Sequence, residues 1–216
     1  MKGIYDRDYF ERGIESGKSC YQNYRWIPEL TIPMAMTIID YLEIKPYHKI
    51  LDFGCAKGFL VKAFRWLNRK SWGVDISEYA IPNCDPEVEE FCHFAPVQFG
   101  DFDFIIAKDV FEHMRLEDIR EFFEMFKKSE PTIFAVIPLG VSGRFIAPAN
   151  NMDTSHITCL DAEGWGEFFM AEGMIISNFT FCIEGIKDSY YDKYPLAHGF
   201  FTLSYGENYG NRNKVS

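Results

Sequence analysis

Lys49-Ile50-Leu51-Asp52-Phe53-Gly54-Cys55-Ala56-Lys57-Gly58 is an apolar run that closes on an acid and opens into a turn of small residues. Ile50, Leu51 and Phe53 suit a strand covered on both faces, and the periodic apolar residues from 59 to 67 suit a helix packed against it. Gly54 and Gly58 carry no Cβ, so the turn between them can bend sharply. Its backbone can then approach a ligand at the helix N-terminus. A second strand follows at Ser71-Trp72-Gly73-Val74-Asp75, and its terminal carboxylate stands where an acid accepts both hydrogen bonds of a ribose diol. Strand, turn, helix, strand, acid together describe a nucleoside site. The loop lacks the Gly-x-Gly-x-x-Gly spacing that lets a backbone approach a pyrophosphate, which argues against a dinucleotide enzyme.

The run Asp52-Phe53-Gly54-Cys55-Ala56-Lys57-Gly58 resembles the Asp/Glu-x-Gly-x-Gly-x-Gly motif of class I S-adenosylmethionine-dependent methyltransferases, with Ala56 in place of the middle glycine. Further matches follow in order at Val74-Asp75-Ile76-Ser77, at residues 103–114 and at residues 156–173, so the resemblance covers residues 30–183. It implies an α/β fold: a mostly parallel seven-stranded sheet with helices on both faces, an antiparallel last strand and an N-terminal lid. It also implies S-adenosyl-L-methionine as cofactor and S-adenosyl-L-homocysteine as product. By the same resemblance Asp52 approaches the methionine amino group, and Gly54 and Gly58 admit the cofactor backbone. Asp75 binds the ribose hydroxyls, and Phe53, Cys55 and Ile76 lie beside the cofactor. Lys108 either faces the cofactor carboxylate or is a solvated strand-end lysine.

A chain of 216 residues can bury one core around a central sheet. The divisions expected are a lid at 1–27, a methyltransferase domain at 28–206 and a flexible tail at 207–216. With 32 acidic against 22 basic residues the formal net charge is −10, so the summed field repels polyanions and disfavours nucleic acid as a partner. Six cysteines without Cys-x-x-Cys spacing suit reduced thiols in a cytoplasm. No stretch approaches the ~20 apolar residues that span a bilayer, and the charged N-terminus lacks a signal peptide's apolar core.

Along the chain, residues 1–27 interleave Tyr5, Tyr9, Phe10, Tyr21, Tyr24 and Trp26 with charges. Aromatic groups with polar tips suit a cover that packs on one edge and hydrogen-bonds on the other. In class I methyltransferases a segment before the first strand commonly covers cofactor and acceptor, so the resemblance makes Tyr9, Tyr21 and Tyr24 candidate contacts, Tyr24 with the cofactor; a tyrosine-rich surface arm held down by packing is the competing reading. A helix is expected over 28–42, with Pro33 in its first turn. Another is expected after Asp75, capped by Ser77 and stopped by Pro82. A short third strand falls between 88 and 94, with Phe94 and Ala95 expected beside an adenine ring. Residues 102–107 read as a buried strand, 116–126 as an amphipathic helix and 132–137 as a strand ended by Pro138. An irregular insert spans 139–157, then come a helix over 160–171 and strands at 175–183 and 199–205.

Methyl transfer from a sulfonium is a displacement on an activated donor, so the protein supplies mainly alignment and desolvation. A hydroxyl acceptor must also lose a proton. Asp109, His113 and His156 are placed to receive it, since imidazole titrates near neutral pH and a carboxylate can orient it. Two structural roles compete: His113 anchoring the helix near Leu116, and His156 fixing its loop through the backbone. No residue is assigned to a metal. The sequence supports a methyltransferase acting on a small molecule or saccharide, at oxygen. Protein or nucleic-acid methylation and a non-catalytic S-adenosylmethionine-binding module are the alternatives.

Overall fold

The central strand β1 (Lys49–Phe53) takes a parallel neighbour on each side: β2 (Lys70–Asp75), which pairs onward with β3 (Cys92–Phe94), and β4 (Phe104–Lys108), which pairs with β5 (Thr132–Pro138). The computed structural model describes residues 3–96 and 100–206, so the tail expected at 207–216 lies outside the described residues. A small hairpin of β6 (Gly140–Val141) and β7 (Arg144–Phe145) follows β5 and stands apart from the sheet. β8 (Met174–Thr180) and β9 (His198–Tyr205) complete the order β3-β2-β1-β4-β5-β9-β8, in which β9 runs antiparallel to both neighbours. This is the expected fold class.

The period-two alternation of side chains assigns the two faces. Along β5, Phe134 and Val136 point to α3 (Pro28–Tyr41) and α4 (Phe59–Trp66), whereas Ile133, Ala135 and Ile137 point to α5 (Leu116–Phe126) and α6 (Ala162–Ala171). Phe122, Phe123, Trp165 and Phe169 are buried on the second face, each side chain contributing roughly 1.5–3 kcal/mol by its removal from water. Because α3 begins at Pro28, Pro33 falls inside the helix rather than in its first turn.

The helix expected after Asp75 does not extend. Ser77 Oγ does accept from the N–H groups of Tyr79 and Ala80, at 3.2 and 2.8 Å, but only a 3-10 turn at Ile81–Asn83 follows. Pro82 has no N–H to continue a helical ladder, which limits this segment to a capped turn. The insert after β5 is likewise more ordered than its composition implies, since it holds the hairpin and a 3-10 turn at Pro148–Asn151.

The N-terminal segment carries α1 (Arg7–Glu11) and α2 (Gly13–Ser16) and lies across the carboxyl ends of the strands. Tyr9 and Phe10 are buried beneath it. Tyr9 Oη donates to Asp153 Oδ2 at 2.8 Å, Ser77 Oγ to the Tyr5 carbonyl at 2.6 Å, and Thr154 N–H to the Lys18 carbonyl at 3.0 Å. Among the described residues no helix is long and apolar enough to cross a membrane.

Candidate active site

β1 and β4 leave the sheet centre in parallel, and the crevice beyond their carboxyl ends is where ligands bind in open α/β sheets. The turn after β1 forms one wall. Gly54 sits at φ 82°, and a Cβ on it would stand 2.6 Å from Val110 Cγ2, so only glycine fits without displacing that wall. Ala56 occupies a left-handed φ of 49° where the related motif has glycine. Its N–H donates to Asp75 Oδ2 at 2.8 Å, while Ser77 N–H donates to Oδ1 at 2.7 Å. The two bonds fix the carboxylate and leave each oxygen an acceptor site for a neighbouring pair of hydroxyls. Burial raises the Asp75 pKa, and the N–H groups of Ala56, Ser77 and Ile76 work against that rise.

Asp75 opens into a cavity of about 360 Å³ floored by Phe53, Gly54, Ile76, Ala95 and Val110 and walled by Tyr5, Tyr9, Phe10 and Tyr21. Tyr5 and Tyr9 meet edge to face at 5.1 Å, and Tyr9 and Tyr21 at 5.7 Å. A second cavity, of about 470 Å³, holds Asp52, Lys108, Lys187, Arg25 and Tyr24. Gly54, Ala56, Tyr21 and Asp109 line both. One cavity thus offers a diol acceptor between apolar walls, and the other offers carboxylates and ammonium groups to a zwitterion. A single ligand with a nucleoside at one end and an amino acid at the other can span them.

Asp52 is buried on β1, and no hydrogen bond from the described residues reaches its carboxylate. Desolvation lifts its pKa to about 7, with Lys108 pulling it down and Asp75 pushing it up. Asp109, at φ 56°, receives Lys108 Nζ and Lys187 Nζ, both at 2.6 Å. Burial alone would raise its pKa, but Lys108 and then Lys187 outweigh it and hold the group well below the usual carboxylate range.

Behind the tyrosine wall lies a cluster built from two loops 40 residues apart. The 3-10 turn Phe111–His113 after β4 supplies Glu112 and His113, and the insert folds back to add Asp153, Ser155 and His156. Ser155 Oγ donates to Asp153 Oδ1 at 2.5 Å and lies 2.9 Å from His113 Nδ1, so His113 Nδ1–H must be the donor there. His156 Nδ1 lies 2.7 Å from the Asn150 carbonyl, which can only accept. Both imidazoles therefore present Nε2 as an unprotonated acceptor, and both Nε2 atoms face Glu112 Oε1, at 3.9 and 3.8 Å. Burial, then the neighbouring His156, pushes His113 down to about 4; burial also lowers His156. Glu112 is pushed well up by burial and then by Asp109.

The structure brings most of the expected residues to the crevice. Phe53, Asp75, Ile76, Ala95, Tyr9 and His113 line the first cavity, Asp52, Cys55, Tyr24 and Lys108 the second, and Gly54, Tyr21 and Asp109 both. Gly58 lines neither: a Cβ there would meet Cys92 Sγ at 2.7 Å and Cys84 Sγ at 2.8 Å, so its place is decided by packing under the turn. Phe94 is 40% exposed and off both cavities. His156 stands behind His113. Lys187, Arg25, Tyr5, Ser155 and Glu112 were not singled out from sequence; Glu112 lies in Asp109-Val110-Phe111-Glu112-His113, and an acid directly beside two candidate site residues was the available signal.

A family model described as a methyltransferase domain matches residues 29–139. No curated protein matches the chain. Among solved structures, a chain from the complex of the Haloferax volcanii Trm112 methyltransferase activator with its methyltransferase superposes with TM-score 0.63 at 12% identity, over 82% of this chain and 90% of that one. A SAM-dependent methyltransferase from Archaeoglobus fulgidus gives 0.58 at 14% identity over 79% and 91%. The Burkholderia thailandensis 1,6-didemethyltoxoflavin-N1-methyltransferase, bound to 1,6-didemethyltoxoflavin and S-adenosylhomocysteine, gives 0.58 at 12% identity over 81% and 77%.

Proposed function

We propose, from the premise that this chain belongs to the methyltransferase-domain family and is an S-adenosylmethionine-dependent methyltransferase, that it methylates a hydroxyl oxygen of a small molecule or saccharide. The observation that carries this reading is that His113 lines the same cavity as Asp75, so a cofactor seat and a proton acceptor share one enclosed space.

The residues present fit the cofactor. Asp75 keeps one acceptor site on each oxygen for the ribose diol, Gly54 admits a ligand where a Cβ would meet Val110, and the second cavity places Asp52 and Lys108 for an amino-acid tail. Bound there, S-adenosylmethionine supplies a methyl group already activated by its sulfonium. The chain does the rest. Tyr5, Tyr9, Phe10 and Tyr21 exclude water and align an acceptor against the passage at Gly54 and Asp109. Asp109, held ionised by two lysines, is a poor proton acceptor and serves better to stabilise positive charge at that passage. The proton of the acceptor leaves toward His113, which lines the cavity, is kept neutral by burial and is oriented by Ser155 through Nδ1; its lowered basicity makes it a transient acceptor that passes the proton on. A neighbour that holds a small heteroaromatic acceptor beside S-adenosylhomocysteine supports the small-molecule class, and a net charge of −10 favours acceptors that are not polyanions.

The test is production of S-adenosylhomocysteine across a panel of hydroxylated metabolites and sugars. Turnover is expected on an oxygen acceptor, falling at least tenfold in His113→Ala with cofactor Kd within about twofold of wild type. Asp75→Ala should do the reverse, weakening cofactor binding by roughly tenfold or more through the lost charged hydrogen bonds. Full turnover in His113→Ala would remove the proton-acceptor role, and tight cofactor binding without turnover on any acceptor would mark a binding module instead.

A further inference from the structure

We propose that Glu112, His113 and His156 bind one divalent first-row transition ion of the zinc class, at the wall of the cavity that holds Asp75. Three observations carry this site. The first is convergence: one ligand atom from each residue falls within 4.8 Å of the other two. The second is that every one of the three is an acceptor. Ser155 and the Asn150 carbonyl take the Nδ1 protons of His113 and His156, so both Nε2 lone pairs turn inward. The third is an orphan. Glu112 is wholly buried, and neither of its carboxylate oxygens has a hydrogen-bond partner among the described residues.

A buried carboxylate without partners is costly, and two imidazole lone pairs facing it add no donor. Either a proton or a metal ion must sit among them, and the distances decide. A shared proton needs heavy atoms about 2.7–3.2 Å apart, whereas the two histidine nitrogens stand 3.9 and 3.8 Å from Glu112 Oε1. An ion that bonds nitrogen and oxygen at about 2.0–2.2 Å holds its ligands up to roughly 4 Å from one another. The two separations from Glu112 fall in the second range, and the set, whose atoms lie within 4.8 Å of one another, closes on an ion with a shift of under about 1 Å. Two imidazoles and one carboxylate favour zinc, iron or nickel over magnesium or calcium, which take oxygen ligands. The outer partners are those a metal site uses: Asp153 holds Ser155, Ser155 holds His113, and a backbone carbonyl holds His156, fixing both tautomers for Nε2 ligation.

Of the three ligands only His113 lines the cavity. An ion there therefore has one accessible side, toward the acceptor. Resting on the oxygen-acceptor reading above, the ion would draw electron density from the acceptor hydroxyl and lower its pKa. With the ion bound His113 Nε2 is a ligand and cannot take the hydroxyl proton, which would leave to solvent; the proton-acceptor role given to His113 above then belongs to the metal-free protein.

The experiment uses the full chain, stripped with a chelator, dialysed and titrated with Co²⁺ and then Zn²⁺ in the absence of cofactor and acceptor. One equivalent is expected, with visible Co²⁺ bands of nitrogen and oxygen ligation, displaced by Zn²⁺. Glu112→Gln and His156→Ala should each weaken binding more than about a hundredfold. Ser155→Ala should weaken it roughly ten- to a hundredfold as an outer partner. Glu112→Gln keeps the side chain's shape and gives two acceptor Nε2 atoms an amide donor, so it should fold and melt no lower than wild type; lost metal binding in a protein of undiminished melting temperature separates ligation from folding. Absence of stoichiometric uptake by folded wild type would overturn the site, as would wild-type affinity in Glu112→Gln. Intense near-ultraviolet thiolate bands would place the ion at Cys55, Cys84 and Cys92 and equally overturn it. Because no methyl transfer is read, failure here leaves the transferase reading standing, and a protein that binds Co²⁺ but not S-adenosylmethionine would sink only that reading.

Discussion

Asp52 is where one side chain's chemistry has a consequence for the whole protein. It ends a hydrophobic strand, so the fold must desolvate a carboxylate to place it beside the ligand crevice, and its pKa rises from 3.8 to about 7. A raised acid pKa means that the folded state holds the proton more tightly than the unfolded chain. Stability contributed by this group is therefore lost as pH climbs from about 4 through about 7, and above that the ionised carboxylate bears its full burial cost. Asp52→Asn carries no such cost. Its stability advantage over wild type in the ligand-free state should grow between pH 5 and pH 8, by at most about 2 to 3 kcal/mol. Urea unfolding of both proteins at the two pH values measures this, and an advantage that stays constant would show that Asp52 is ionised throughout. The charge also serves binding: an ammonium arriving in the second cavity would find a carboxylate with no hydrogen bond from the described residues to give up. Asp75 shows the opposite design, with two backbone N–H groups already on its oxygens, so it is oriented rather than waiting.

At the level of elements, what the sequence shows and what it hides follow from the range of the forces. β1, β4 and β5 are covered on both faces, and their continuous apolar runs declare them; α5 declares itself by an aromatic stripe opposite acids. Gly54 follows β1 and Asp75 ends the next strand, β2, so their meeting at the crevice is a local matter. β3 is only three residues long, too short for a pattern, and the expected helix beyond Asp75 stops short because Pro82 overrides a good cap. The Glu112 cluster was hidden for a different reason, since half of it arrives on a loop whose position depends on packing across the whole insert. Gly58 was assigned to the ligand on motif grounds, but its neighbours are Cys92 and Cys84. Gly58→Ala is therefore expected to act on the β1–α4 junction. An alanine at φ 75° costs about 1–2 kcal/mol and its overlap with the two sulfurs a further 1–3. Urea unfolding should show a loss of roughly 2–5 kcal/mol, and a variant as stable as wild type would mean that the turn and the thiols yield without strain.

For the molecule as a whole the question is how a ligand reaches cavities that its own N-terminal segment covers. That segment is pinned at separated points. Tyr9 bonds Asp153 on the insert, Lys18 accepts from Thr154 on the same loop, and Lys57 of the β1 turn reaches Glu11 at 2.5 Å and the Tyr24 carbonyl at 3.0 Å. The segment also packs Tyr9 and Phe10 against Ala80, but this small cluster and polar contacts worth about 1 kcal/mol each, or about 1.5–3 where a charge takes part, stand against a sheet interior held by many more large side chains. Local opening should therefore release this segment well before the sheet loosens. Since Tyr21 lines both cavities and Tyr5, Tyr9 and Phe10 wall the first, a bound S-adenosylmethionine would add its own contacts to the closed state and hold it shut. Two stretches distant in sequence, residues 3–27 and 145–157, should then gain protection together. Hydrogen exchange with and without S-adenosylhomocysteine measures it: slowed exchange in both stretches, with the strands of the sheet centre unchanged, is the expected pattern. Protection confined to the loops after β1 and β2 would mean that the ligand enters and leaves beneath a segment that never moves.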